Sequence, residues 1–220
     1  MEQSPKLPVV GALCDDENFS DRLIQGERAK WVDKVWTFGG AALREAYQFL
    51  VPGSGYALQQ WVDGKPIVIT KEPGKPLPDP EELNDAIPKE EWPISKFTGQ
   101  PEPPWREVAF AYMLRLFDGA MFTHINSTWG TIICVRSIRE RIRNMTILNG
   151  GAAVLPIVKP TSAPMASKKY PGRFRPELEI VGWRDLSGKP VLIEAPKLAE
   201  IGKPVTEPTT AEKLNDQIGF

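Results

Sequence analysis

The segment from Lys159 to Arg175 contains the residue types that hold a nucleic-acid strand. Its 17 residues include five cations, two aromatic residues and no acid. Cations neutralise phosphates, and aromatic rings offer faces on which bases stack. The candidates for contact here are Lys159, Lys168, Lys169, Tyr170, Arg173, Phe174 and Arg175. The pattern favours strand binding; the alternative is that Phe174 packs in the core while the lysines keep a loop soluble.

A predicted β-hairpin and its neighbours supply a second group of candidates: Trp61, Arg115, Phe117, Phe122, His124 and Trp129. Strand alternation places Arg115 with Phe117 and Phe122 with His124, and Trp129 stands in the turn before a predicted helix. Core packing is the competing interpretation for each aromatic side chain. His124 is expected to be a polar surface residue rather than a metal ligand or a base.

The predicted helix over 131–145 carries two stripes at helical spacing. One is apolar, with Val135 and Ile138 followed by Ile142 and Met145. The other consists of Arg136, Arg139 and Arg143. The arginines either form the solvent face of an amphipathic helix, which is the usual case, or extend a phosphate track. They are therefore not assigned to the primary site.

The net charge of −1 conceals an uneven distribution of charge along the chain. Residues 1–104 carry a net charge of −6, residues 105–184 carry +7 and residues 185–220 carry −2. This asymmetry is expected of a chain that binds phosphates with its body and a basic protein with its end. The alternative is a solvated charged surface folded against the acidic half.

Several classes of function find little support in the composition. No stretch is apolar over the length of a membrane span, and the first residues lack the pattern of a secretory signal, so we expect a cytoplasmic protein. Cys14 and Cys134 lie far apart and predict two free thiols. With one histidine in the chain, neither a metal site nor a cofactor is predicted.

A metal-dependent nuclease is the enzyme alternative. Such enzymes use an Asp followed, one strand later, by Glu-x-Lys, and Asp185 with Glu194 and Lys197 invites the comparison. Here two residues, one of them a proline, separate Glu194 from Lys197, so the two would not fall on one face of a strand. The protein is therefore expected not to be an enzyme.

The chain is expected to form one β-rich domain over 21–195, after a loosely ordered stretch over 1–20 and before a flexible tail over 196–220. A proline- and acid-rich connection spans 71–104, with a short helical turn at 80–86. A strand-like segment is predicted at 27–33 followed by 35–38, which Gly39-Gly40 ends, and strands are predicted at 48–51, 56–62, 67–70, 107–117, 120–126, 154–158 and 174–183, with a basic loop at 159–173. This order suggests a mainly β fold, an OB-like antiparallel barrel with one amphipathic helix and β-hairpin elaborations. A sheet with a helix on one face is the alternative.

The last five residues resemble the C-terminal tip of bacterial and phage single-stranded DNA-binding proteins, in which acidic residues precede Ile-Pro-Phe. Asp216, Ile218 and Phe220 carry this resemblance. A terminal Phe combines a ring with a carboxylate, which a partner can hold in an apolar pocket rimmed by cations. The resemblance implies a protein that binds single-stranded DNA and recruits replication or recombination proteins through its tail.

The second half is also similar to a group of uncharacterised phage and prophage proteins. The segments that carry this similarity are Pro103-Pro104-Trp105, Thr123 to Gly130, Arg175 to Trp183 and, more weakly, Trp61 to Pro66. The similarity implies a mobile-element setting. The competing function is a mobile-element adaptor or inhibitor whose basic half binds an acidic protein, and a homo-oligomer is compatible with either.

Overall fold

The computed structural model describes residues 23–43, 47–72, 74–96, 98–165 and 172–191. Its strands are β1 (Glu27–Val32), β2 (Val35–Phe38), β3 (Ala41–Ala42), β4 (Phe49–Val62), β5 (Lys65–Thr70), β6 (Arg106–Arg115), β7 (Met121–Asn126), β8 (Val154–Pro164) and β9 (Phe174–Asp185). Its α-helices are α1 (Pro80–Asp85) and α2 (Trp129–Leu148), and a 3-10 turn spans Lys89–Glu91. The mainly β fold is confirmed.

Two hairpins close through pairs of residues with positive φ. Asp63 and Gly64 have φ of 51° and 75° and join β4 to β5, as their Asp-Gly sequence predicts. Asp33 and Lys34 have φ of 49° and 71° and join β1 to β2. The right-handed twist of paired strands favours such turns.

The amphipathic helix is confirmed and is a few residues longer than predicted at each end. Val135, Ile138 and Met145 are buried. Val135 and Ile138 belong to the main core cluster, and Ile142 packs against that cluster. The main core lies between this face of α2 and one face of the sheet, where Phe38, Phe49 and Phe122 meet ring against ring.

The connection before β6 contains one short helix, as predicted. Asp79 caps α1 by accepting a hydrogen bond from the backbone N–H of Glu81. Asn84 then fixes the end of the connection, because its side chain both donates to the carbonyl and accepts from the N–H of Trp105. No helix in the described ranges is long and apolar enough to cross a membrane.

The nine strands form one open sheet rather than a closed barrel. The strand order is β3-β2-β1-β7-β6-β4-β8-β9, with β5 paired to β4. Within the described residues the outer strands β3 and β9 do not pair with each other, and β1 runs parallel to β7. The prediction of an OB-like antiparallel barrel is thus not confirmed, and the alternative of a sheet with a helix on one face agrees with this architecture.

Side chains nevertheless bring the β1–β2 hairpin against β8, although four strands separate β2 from β8 in the sheet order. The indole N–H of Trp36 donates to the carbonyl of Thr161 at 2.6 Å, and that of Trp31 donates to Ser162 Oγ at 2.8 Å. Lys34 Nζ lies 3.9 Å from the ring centroid of Phe174. We call this contact the seam.

We expect Trp36→Phe to lower the free energy of unfolding by about 2 kcal/mol, because it removes a hydrogen bond across the seam and leaves a cavity in the core. Trp61→Phe is the matched control, since Trp61 is largely exposed, and it should change stability by less than about 0.5 kcal/mol. Urea unfolding of both variants measures the difference. An equal loss of unfolding free energy in the two variants would show that the contacts of Trp36 at the seam add nothing to stability.

Two strands differ from the sequence prediction by more than two residues, namely β4 and β8. The chain does not end a strand at Pro52-Gly53, because β4 continues through a bulge between Leu50 and Gly53. Residues 159–164, predicted as loop, belong to β8 and pair with β9. After Val158, β8 forms backbone pairs with β9 and with no other named strand. A strand that is paired on one side only tolerates proline, because the missing N–H can face away from the partner strand.

Candidate nucleic-acid interface

A groove of about 780 Å³ lies between α2, the bulged part of β4 and the start of β8. Its walls are formed by Val51, Pro52, Gly53, Ser54, Tyr56, Glu107, Arg136, Arg139, Glu140, Ile142, Arg143, Val154 and Leu155. A second cavity, of about 210 Å³, lies where β1 diverges from β7.

The groove exists because β4 presents small residues beneath α2. The run from Pro52 to Gly55 contains no bulky side chain. On the other face of β4, the rings of Tyr112 and Phe110 cover Gly53 and Gly55, where a Cβ would come within 3.1 and 2.9 Å of ring carbons. The glycines therefore allow the aromatic rings to cover the strand.

The divergence of β4 from β8 opens the groove further. These strands pair only at Phe49 with Val158 and at Leu50 with Ile157. Beyond the bulge β4 pairs with β6, and the start of β8 becomes the opposite wall of the groove.

Three arginines from one stripe of α2 line this space. Arg136, Arg139 and Arg143 follow at i, i+3 and i+7, a span of about 10 Å along the helix axis. Arg139 donates from Nη1 to the carbonyl of Ser54, and its guanidinium carbon lies 5.7 Å from the ring centroid of Tyr56. Arg136 lies at the same distance from the ring of Trp129, which is 51% exposed. Two of the three groove arginines thus lie beside an aromatic ring.

The described arginines fall into two electrostatic classes. Arg106, Arg115 and Arg175 each form an ion pair with a carboxylate, from Glu102, Asp118 and Glu177 respectively. By contrast, no ion pair within the described ranges involves the three groove arginines. Their charge is therefore available to an external anion, although Glu107 and Glu140 in the same walls reduce the local positive charge.

Arg115 illustrates the paired class. It donates to Asp118 through Nε at 2.8 Å and Nη2 at 2.5 Å, a bidentate contact. Hydrogen bonding to Arg115 lowers the pKa of Asp118 to about 2. Arg115 also lies over the rings of Tyr47 and Phe122. A phosphate would have to compete with Asp118, so Arg115 and, by the same argument, Arg175 are weaker candidates than the sequence suggests.

Phe122 and His124 lie in the core, contrary to the prediction that they form part of a binding face. Their exposed fractions are 3% and 2%. His124 Nδ1 lies 3.1 Å from the carbonyl of Ala29, Nε2 lies 3.2 Å from Thr131 Oγ1, and the ring meets Trp36 edge-on. Burial lowers the pKa of His124 to about 4. Neither side chain can reach a nucleotide in this structure.

The other predicted aromatic residues are accessible but lie apart. Phe117 is 77% exposed and stacks on Tyr47 at the turn after β6. Trp61 is 55% exposed near the turn between β4 and β5. Of the predicted aromatics, Trp129 is the one shown in contact with a groove arginine.

The predicted basic loop is described only in part. Lys159 lies on β8 opposite Glu179, Phe174 begins β9 at the seam, and Arg173 is exposed just before it. Gly130 of α2 packs against Arg175, since a Cβ there would come within 3.0 Å of Arg175 Cβ. Other predicted contacts lie outside the described residues: Lys168, Lys169, Tyr170, Asp216, Ile218 and Phe220.

The groove itself was missed by sequence reasoning, together with Tyr56. Two signals were present: the arginine stripe, and the run of small residues from Pro52 to Gly55. The arginine stripe is compatible with either a solvent face or a phosphate track, and the dipeptide Pro52-Gly53 predicts a strand end, so these two local signals do not indicate a common site.

Of the three residues compared with a nuclease, Asp185 alone lies in the described structure. Asp185 accepts hydrogen bonds from Ser187 Oγ and the backbone N–H of Lys189, which lower its pKa and hold a turn. Glu194 and Lys197 lie outside the described ranges. No cluster of three or more potential metal ligands occurs among the residues that were placed. Burial raises the pKa of Cys134 to about 12, so its thiol is not a ready nucleophile.

Comparisons with known proteins add no relative to this picture: the chain matches no protein-family model, no curated protein and no solved structure.

Proposed function

We propose that the protein binds single-stranded DNA without sequence specificity, in the replication or recombination of a phage or other mobile element. The observation that carries the proposal is the stripe of Arg136, Arg139 and Arg143, which lines a groove without carboxylate partners in the described structure. Cations in a groove follow a sugar–phosphate backbone, whatever the base sequence.

The aromatic residues beside the arginines support a preference for single strands. Tyr56 lines the groove and Trp129 stands at the end of the same helix stripe. An unpaired base can leave its neighbours and stack on such a ring, whereas a base in a duplex is already stacked and paired. Every base has a flat face, so stacking also adds affinity without reading sequence.

We expect labelled oligo-dT to bind more tightly than duplex DNA of equal length, and its binding to weaken as salt rises. Three phosphate contacts predict a slope of log affinity against log salt of roughly −2, at about −0.7 per contact. A mobility-shift titration with oligo-dT, duplex and RNA at two salt concentrations measures these quantities, and the RNA arm shows whether the sugar is distinguished.

Two results would contradict the proposal, and each would favour a different function. No shift at micromolar protein in low salt would favour an adaptor or inhibitor that binds an acidic protein through the basic half. Cleavage of the probe that depends on added metal would favour a nuclease.

A further inference from the structure

Tyr56 is the one aromatic residue among the described residues that line the groove. It is partly buried, packs against the main core cluster and also lines the groove. Its partner across the β4–β6 ladder is Ala109, and Ser54, two residues earlier on the same face, stands opposite Ala111. The residues opposite Tyr56 and before it on this face are therefore small, whereas Leu58, two residues later, is a buried leucine.

Arg139 is fixed beside this ring. Its Nη1 donates to the carbonyl of Ser54, and its guanidinium carbon lies 5.7 Å from the Tyr56 centroid. A guanidinium has five N–H donors, so this one hydrogen bond leaves donors for a phosphate. The side chain is therefore oriented in advance without being saturated, which lowers the entropy lost when an anion binds.

We infer that Tyr56 is a stacking platform for one nucleobase, and that Arg139 holds a phosphate of the nucleotide that carries this base or of its neighbour. The inference rests on the proposed function and specifies which part of the strand enters the groove. Stacking uses the face of the ring and not its hydroxyl. Removing the hydroxyl should therefore preserve binding, while removing the ring should not.

The test compares oligo-dT with an oligonucleotide of equal length in which abasic sites replace the bases. We expect Tyr56→Leu to weaken binding of oligo-dT about tenfold, the loss of roughly one stacked base. It should weaken binding of the abasic strand less than twofold and leave the salt slope unchanged, because the phosphate contacts remain. Tyr56→Phe should bind both strands within about twofold of the unmodified protein.

Tyr47→Leu is the matched control, because Tyr47 is also a partly buried tyrosine beside an arginine, but it stacks on Phe117 outside the groove. It should leave both affinities unchanged. An equal loss on the two strands from Tyr56→Leu would mean that the ring only shapes the groove and would overturn the inference. No loss on either strand would do the same.

A second measurement needs no variant and so does not depend on Tyr56→Leu folding. Oligonucleotides containing 5-iodouracil, irradiated on the unmodified protein, should form a crosslink that mass spectrometry maps to Tyr56. Crosslinks found only elsewhere would overturn the inference while leaving strand binding intact. Failure of the unmodified protein to bind oligo-dT at all would instead refute the proposed function.

Discussion

Replacing both Arg139 and Arg143 by glutamine should lower the affinity for oligo-dT about 100-fold at low salt. Each arginine lines the groove without a carboxylate partner in the described structure. A charged hydrogen bond to phosphate contributes about 1.4 kcal/mol or more, which is tenfold in affinity for each residue. The slope of log affinity against log salt should flatten by roughly 1.4, since two phosphate contacts are lost. Titrations at several salt concentrations measure both quantities.

Arg141→Gln is the control for a nonspecific effect of charge. Arg141 is exposed on the same helix but does not line the groove, so its substitution removes the same charge from a different stripe. It should change affinity less than threefold. Glu140→Gln acts in the opposite direction, because it removes a carboxylate from the groove wall, and it should tighten binding and leave the fold unchanged.

An equal loss from Arg141→Gln and from a single groove variant would contradict the assignment of the site. It would show that α2 attracts the strand by its overall charge and not through the groove. Unchanged binding in the double variant would move the interface elsewhere, for example to Arg173 and the part of the basic segment that lies outside the described residues.

The helix and the β4–β5 hairpin could be predicted from sequence because their signals are local, whereas the β1–β2 hairpin was not predicted. The period of Val135, Ile138, Ile142 and Met145 fixes both the existence of α2 and its buried face. The dipeptide Asp63-Gly64 fixes the turn between β4 and β5 by its tolerance of positive φ. Neither feature depends on residues distant in sequence.

The groove could not be predicted because it depends on distant contacts. The dipeptide Pro52-Gly53 ordinarily ends a strand, but here β6 continues to pair with β4 on the far side of a bulge. The rings of Phe110 and Tyr112 make this possible by covering Gly55 and Gly53. That pairing links residues more than 50 positions apart, which periodicity does not reveal.

Strand alternation likewise determines only part of the candidate site. It correctly places Phe122 and His124 on one face of β7, but alternation does not say which face is buried. This face of β7 is buried because β1 and β2 pack against it, and their residues Ala29 and Trp36 contact His124. Strand alternation also does not show which arginines form ion pairs with acids. For Arg115 and Asp118, however, their close spacing in a tight turn was a local signal of the pair.

The buried histidine should make the protein less stable as the pH falls below neutral. Burial lowers the pKa of His124 to about 4, from an ordinary value near 6.5. Between these values the unfolded chain binds a proton that the folded chain excludes, so the free energy of unfolding decreases as the pH falls. The contribution of His124 is complete above pH 6.5, and about 3 kcal/mol is lost by pH 4, at about 1.4 kcal/mol for each pKa unit.

The part of this window above pH 5 isolates His124, because it is the single histidine in the chain and the ordinary pKa of carboxylates lies lower. Urea unfolding at several pH values between 7.5 and 5 should show stability falling as pH decreases. His124→Gln removes the titrating group and should abolish the slope over this range, even if it lowers stability overall by disturbing the contacts with Ala29 and Thr131. The same slope in both proteins would show that another group titrates.

Since Thr131 lies in the first turn of α2, protonation of His124 should also loosen the helix that carries the groove arginines. Loss of oligo-dT binding at acid pH should therefore accompany the loss of stability.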